Sequence, residues 1–183
     1  AIGSERAHAS VLFCDIRGFT SLSENLAPEA TIELLNTFYT LMFEAVTSNG
    51  GIISLMLGDG FMALFGVPQP IENTSQSAVQ AGHEMFAMIE MLNAERIIEG
   101  IATGEVVAGY AGTDSRATYT CIGSTVNLAA RLEAETKATD GGILVDQTTL
   151  DLLEGIEVSH TYKDTQIKGF SHPIDIYALQ LNK

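Results

Sequence analysis

Apolar and polar positions alternate along the chain with two different periods. Ser10-Val11-Leu12-Phe13-Cys14 is a short apolar run ending at Asp15, and it predicts a buried strand over 9–15. From Pro28 to about Ser48 the apolar residues Ile32, Leu35, Phe38, Leu41, Met42 and Val46 recur at helical spacing. Pro28 suits the first turn of that helix, and Asn49-Gly50-Gly51 suits its end. A hairpin is predicted over 52–66, closed by Leu57-Gly58-Asp59-Gly60, because an Asp-Gly pair between two apolar runs favours a tight turn. A second amphipathic helix is predicted over 75–93, with Ala78, Ala81, Met85, Met88, Ile89 and Leu92 on its apolar side.

The second half has shorter elements. Residues 97–110 read as a strand, a break at Thr103-Gly104 and a second apolar run. A strand at 117–122 leads into a helix over about 126–136, with Ser124 or Thr125 able to cap it. A strand at 142–146, a short helix at 147–153 and strands at 156–163 and 173–180 follow. The order strand, helix, hairpin, helix, strand predicts an α+β, ferredoxin-like sheet with its helices on one face. In that layout the first strand and the hairpin can be neighbours, which brings Asp15 and Asp59 together. No repeat, low-complexity stretch or interior linker divides the 183 residues, so one domain is expected.

Composition narrows the function. A hydrophobic share of 46% and a charged share of 17% describe a folded, soluble chain, and no apolar run approaches the roughly 18 residues of a membrane span. No signal peptide is visible, so a cytoplasmic location is expected, with membrane attachment only through a longer parent. The formal charge of −14 argues against a nucleic-acid binder, which needs a basic face. It also makes each of the nine Lys and Arg residues individually informative for any anionic ligand. Cys14 and Cys121 sit in apolar runs and read as buried free thiols. His8, His83, His160 and His172 are scattered without zinc-ligand spacing.

Four places carry candidate chemistry. Asp15 at a strand exit and Asp59 at a hairpin tip can together grip divalent cations, although on spacing alone Asp15 can equally cap a turn and Asp59 merely shape the hairpin. Gly18-Phe19-Thr20 lies in a strand-to-helix turn whose backbone N–H groups can cradle phosphate. Asn127 and Arg131 are four apart and share a helix face, which suits a phosphoryl group gaining charge; the plainer alternative is a surface Arg pairing with Glu133 or Glu135. Lys168 in Ile167-Lys168-Gly169 is a cation in a loop, either solvated or a phosphate ligand.

These motifs, in this order, resemble the catalytic domain of class III nucleotide cyclases. Val11 to Thr20 is similar to the family's first metal motif, Leu57 to Gly66 to its second, Tyr119 to Glu133 to its transition-state helix, and Ile167-Lys168-Gly169 to its triphosphate lysine. The resemblance runs from about Ser10 to Leu181. It implies a head-to-tail homodimer with active sites at the interface. Asp15, Ile16 and Asp59 of one protomer would hold two divalent ions, Mg2+ or Mn2+. Gly18, Phe19 and Thr20 would bind phosphate. Asn127 of the other protomer would orient the ribose, Arg131 would stabilise the α-phosphate, and Lys168 would hold the β- and γ-phosphates. The implied reaction is attack of the ribose 3′-oxygen on the α-phosphorus with loss of pyrophosphate. A regulatory domain in the parent chain is also implied.

The base pocket departs from the pattern. Where the resemblance leads one to expect hydrogen-bonding side chains for the purine, the chain has Leu55 and Ser124. Leu55 makes no hydrogen bond and Ser124 makes few. ATP is the expected substrate, because no acceptor for the guanine edge is visible. GTP or a promiscuous preference is the alternative within the class, and a catalytically silent nucleotide-binding or dimerisation domain is the alternative outside it. The stretch Ala94-Glu95-Arg96-Ile97 is shorter than the pattern leads one to expect.

Overall fold

A computed structural model of the protein describes residues 3–16, 24–57, 60–91, 97–136 and 142–181. The elements in chain order are β1 (Ser4–Ile16), α1 (Pro28–Ser48), β2 (Ile52–Leu57), β3 (Gly60–Phe65), α2 (Thr74–Met91), β4 (Ile97–Thr113), β5 (Arg116–Ile122), α3 (Ser124–Glu135), β6 (Ile143–Val145), α4 (Gln147–Asp151), β7 (Val158–Thr165) and β8 (Ile174–Leu179). The strands form one sheet in the order β2-β3-β1-β4-β6-β8-β7, and β5 adds to β4. Of the pairings in the sheet, β4 with β6 is parallel and the others are antiparallel. The α+β class and the flanking helices follow the expectation. Among the described residues no helix is long and apolar enough to cross a membrane.

Local sequence explains the element ends. α1 begins with Pro at its first turn and stops at Asn49, after which Gly50 takes φ +83°. A residue without Cβ enters that left-handed region at no steric cost. β2 and β3 pair antiparallel with Leu57 opposite Gly60. β1 is buried from Ala9 to Leu12 because both faces of the sheet are covered there.

Two apolar clusters fill those faces. On one, Leu12, Cys14, Phe61, Phe65, Ile97 and Ile101 of the sheet meet Phe38 and Met42 of α1 and Ala78, Ala81 and Met85 of α2. On the other, Val11, Met62, Leu64, Ala102, Val106 and Leu144 meet Ala129 and Leu132 of α3. The expectation of helices on one face is therefore corrected. α3 presents small residues to the sheet, and the sheet answers with glycines. A Cβ on Gly100 would collide with the backbone of Ala129 and Glu133, and one on Gly104 would lie 2.8 Å from Thr125 Oγ1.

The same glycines correct a second expectation. β4 does not break at Thr103-Gly104 but runs unbroken from Ile97 to Thr113. Gly104 is there for close approach of a helix, a role that leaves the strand's backbone extended.

Buried polar groups are mostly satisfied, as burial demands. Thr103 Oγ1 lies 2.6 Å from Ser10 Oγ, 3.0 Å from Ser75 Oγ and 2.7 Å from Thr149 Oγ1. Thr149 Oγ1 in turn donates to Asp146 Oδ1 at 2.6 Å. This chain of hydroxyls ties β1, α2, β4 and α4 together. Glu99 is different. It is fully buried among the α1 and α2 side of the core, and neither carboxylate oxygen has a hydrogen-bond partner among the described residues.

Both cysteines are buried free thiols, as expected. Burial raises both pKa values, that of Cys121 to about 11, and Glu99 and Asp15 add to the burial effect at Cys14. Thiolate is the reactive form. A disulfide thiol reagent is thus expected to titrate no thiol in the native domain and both in denaturant; rapid native labelling would contradict the packing of β1 and β5.

Candidate functional site

The side chains of α3 divide by helical period. Thr125, Ala129 and Leu132 face the sheet and are buried, which leaves Asn127 and Arg131 on the exposed side. Lys168 reaches the same region from the loop between β7 and β8. Ile167 is fully buried and anchors that loop, Phe170 N–H donates to Ile167 O at 3.0 Å, and Gly169 takes φ +91°. The turn so formed leaves Lys168 exposed beside a buried anchor.

These two elements enclose a cleft of about 600 Å3 lined by Ser124, Asn127, Ala130, Arg131, Lys168, Gly169, Phe170 and Ser171. The structure thus brings together four of the residues singled out in the sequence: Ser124, Asn127, Arg131 and Lys168. Among the described residues neither Arg131 nor Lys168 has a carboxylate within ion-pair distance, and the one ion pair formed is Arg6 with Glu105 at 2.7 Å. The plainer reading of Arg131 as a partner of Glu133 or Glu135 is not what the structure adopts. Two cations without a carboxylate partner among the described residues, and an amide beside them, suit an anion with several oxygens.

Asp15 lies elsewhere and does not line this cleft. It stands at the end of β1, half-buried with Oδ1 shut off from solvent, opposite Gly60 of β3 and Ile98 of β4. Ile16 beside it is buried. A Cβ on Gly60 would lie 2.5 Å from Cys14 O and 3.3 Å from Asp15 Oδ1, so the missing side chain is what gives that carboxylate room. Asp59 precedes Gly60 in the chain and lies outside the described residues, as do Gly18, Phe19, Thr20 and the 94–96 stretch. A carboxylate supplies the hard oxygen donors that suit Mg2+ or Mn2+. Among the described residues no group of three or more His, Cys, Asp or Glu side chains gathers to hold a metal ion.

Leu55 is 42% exposed on β2 and is not part of the cleft. Ser124, expected as a possible helix cap, does not cap α3; Gly123 holds that position, and Thr125 instead donates to Glu105 O at 2.9 Å. Three features were missed in the sequence. Phe170 and Ser171 line the cleft, and their place directly after Lys168-Gly169 was the available signal. Glu99 is the third; a lone acid inside Ile97-Ile98-Glu99-Gly100-Ile101 was visible but carried no motif.

Residues 4–181 match the family model of the adenylate and guanylate cyclase catalytic domain. The chain belongs to that family. The cyclase domain is 32% identical to an adenylate cyclase of Anabaena cylindrica over 93% of its own length and 36% of that protein. It superposes on the crystal structure of the adenylyl cyclase CyaB from P. aeruginosa with a TM-score of 0.89 and 34% identity, covering 99% of this chain and 97% of that one. The guanylyl cyclase Cya2 gives a TM-score of 0.84, again with 34% identity, covering 97% of this chain and 93% of the other. The cyclase domain spans about a third of the length of the first curated relatives it matches.

Proposed function

We propose that this cyclase domain is an adenylate cyclase, converting ATP to cyclic AMP and pyrophosphate at two sites shared by a head-to-tail homodimer. One observation carries the reading. Asn127, Arg131 and Lys168 converge on a single open cleft, while Asp15 sits outside it at the end of β1. A site that needs both sets is completed by a second copy, and two-fold symmetry then builds two such sites.

In the reaction the ribose 3′-hydroxyl gives its proton to solvent, a bond forms between the 3′-oxygen and the α-phosphorus, and the bond from that phosphorus to the bridging oxygen breaks, releasing pyrophosphate. Asn127 offers its amide to the ribose and holds the 3′-oxygen in line. Arg131 meets the negative charge that grows on the α-phosphate oxygens, with two N–H groups in a fixed fork. Lys168 neutralises the β- and γ-phosphates and so stabilises the leaving group. Asp15, Ile16 and Asp59, with phosphate contacts from Gly18, Phe19 and Thr20, are the residues that would hold two divalent ions. Two ions held by these residues would supply charge to make the attacking hydroxyl more acidic and to stabilise the leaving oxygen. Much of the catalysis comes from positioning and charge stabilisation.

Guanylyl or dual specificity is the second reading. It is favoured by the exposed, apolar Leu55 and by an identity to the guanylyl cyclase Cya2 equal to that with CyaB. Apolar fit discriminates bases weakly. A regulatory domain in a longer parent fits the share of its relatives that this chain spans. Incubation of the purified domain with ATP and with GTP, each with Mg2+ or Mn2+, is expected to yield cyclic AMP as the main product. Cyclic GMP as the main product would favour the second reading, and no product from a folded dimer would favour a silent domain.

A further inference from the structure

α3 carries two of the cleft residues, so whatever fixes its position on the sheet also fixes them. β4 has a gap in its ladder where α3 begins. On that edge β4 pairs with β6 only over Glu99–Ile101 and with β5 only from Val107 onward. Backbone groups between the two pairings have no strand to meet, and buried groups of that kind require another partner. Side chains supply it. At Glu105, Thr125 Oγ1 donates to the backbone O at 2.9 Å.

Thr125 is 8% exposed and sits in the first turn of α3. Its hydroxyl oxygen would be 2.8 Å from a Cβ on Gly104, so the side chain enters the space which that glycine leaves open. One turn further on, the Ala129 and Glu133 backbone rests on Gly100 in the same way. Gly123, at the N-cap, makes no side-chain hydrogen bond to the helix. The contact at Gly100 sets how closely α3 lies on the sheet; a packing contact alone lets the helix slide or turn. The Thr125 hydrogen bond has direction, and it fixes rotation and register.

We infer that Thr125 is a positioning residue for the cyclase reaction, its hydroxyl standing in for the missing strand partner of Glu105 and so aiming Asn127 and Arg131 into the cleft. The inference rests on the proposed function for its catalytic consequence, and on the fold alone for its structural one.

Thr125→Val keeps the shape and loses the hydroxyl; Thr125→Ser keeps the hydroxyl and loses a methyl. With the dimeric domain, Thr125→Val is expected to lower kcat for cyclisation by about tenfold or more, since displacement of a catalytic group by about an ångström costs that much. The KM for ATP is expected to change by less than about threefold, and Thr125→Ser to regain kcat to within about threefold of wild type. Hydrogen exchange read residue by residue gives a second measure, independent of turnover. In Thr125→Val the amides of 127–131 are expected to exchange faster, with those of β1 unchanged; in Thr125→Ser they match wild type. Wild-type kcat in a folded Thr125→Val dimer, or failure of Thr125→Ser to recover it, overturns the inference. If the wild-type domain itself makes no cyclic product, the cyclase reading fails separately. Exchange then decides for Thr125, unchanged protection in α3 overturning the inference and a loss reversed by serine upholding it.

Discussion

Arg131→Ala is expected to lower kcat with ATP by about 10²–10³, or about 3–4 kcal/mol of transition-state stabilisation, the loss seen on removal of a single charge-stabilising donor elsewhere. KM is expected to change little, because the charge that Arg131 meets is larger in the transition state than in bound ATP. The position of the side chain supports the proposed role. It stands on the exposed side of α3, lines the cleft with Asn127 and Lys168, and has no carboxylate within ion-pair distance among the described residues. Arg131→Lys is expected to recover only part of the loss, since an ammonium restores charge without the planar fork. Steady-state kinetics with purified, folded variants read the outcome. An Arg131→Ala enzyme with wild-type kcat would remove the charge-stabilising role.

The second large effect belongs to stability. Glu99 is fully buried, its oxygens have no hydrogen-bond partner among the described residues, and burial raises its pKa from an ordinary 4.5 to about 8. The folded state therefore keeps a proton that the unfolded chain gives up near pH 4.5. Stability is full below that pH, declines as pH rises, and levels off above about 8. The decline is on the order of 3–5 kcal/mol. Glu99→Gln keeps the shape and does not titrate. Its stability relative to wild type is expected to be lowest at pH 5 and to rise by that amount by pH 8. Urea unfolding of both proteins across this window isolates Glu99, because every other titrating group, His83 among them, is common to the two. Parallel stability curves would contradict a buried neutral acid.

Much of the fold was legible because its elements have clean periods. α1 was readable from Ile32 to Val46, and its end from Asn49-Gly50-Gly51. The β2–β3 hairpin was readable from Asp-Gly between apolar runs. What was not legible depends on contacts distant in sequence. Gly104 looks like a break until α3 is seen lying against it. Small residues in α3 and glycines in β4 are complementary only once paired, which is why the second helix-bearing face of the sheet was missed. Thr125 has the chemistry of a cap, and only the gap between β6 and β5 turns it toward Glu105.

The candidate site divides in the same way. Asn127 and Arg131 were readable as a pair from their spacing on a helix. Their meeting with Lys168 was expected from the family resemblance, since nothing local ties a loop cation to a helix far upstream. The structure brings all three to one cleft. The meeting of Asp15 with Asp59 was expected from the hairpin; Asp59 lies outside the described residues, and the β1–β3 register places Asp15 opposite Gly60, the next residue. Glu99 remained silent in the sequence because one acid in an apolar run has no spacing to interpret.

Under the proposed function, two copies each contribute half of a nucleotide site, and mixing Asp59→Ala with Arg131→Ala protein distinguishes such a shared site from one built within a single copy. Each variant alone is expected to be nearly inactive, while the mixed dimer contains one site with both sets of residues intact. Random exchange of subunits in an equal mixture is then expected to restore about a quarter of wild-type cyclic AMP formation. An equal mixture that exchanges subunits yet stays as inactive as its components would contradict a site shared across the interface.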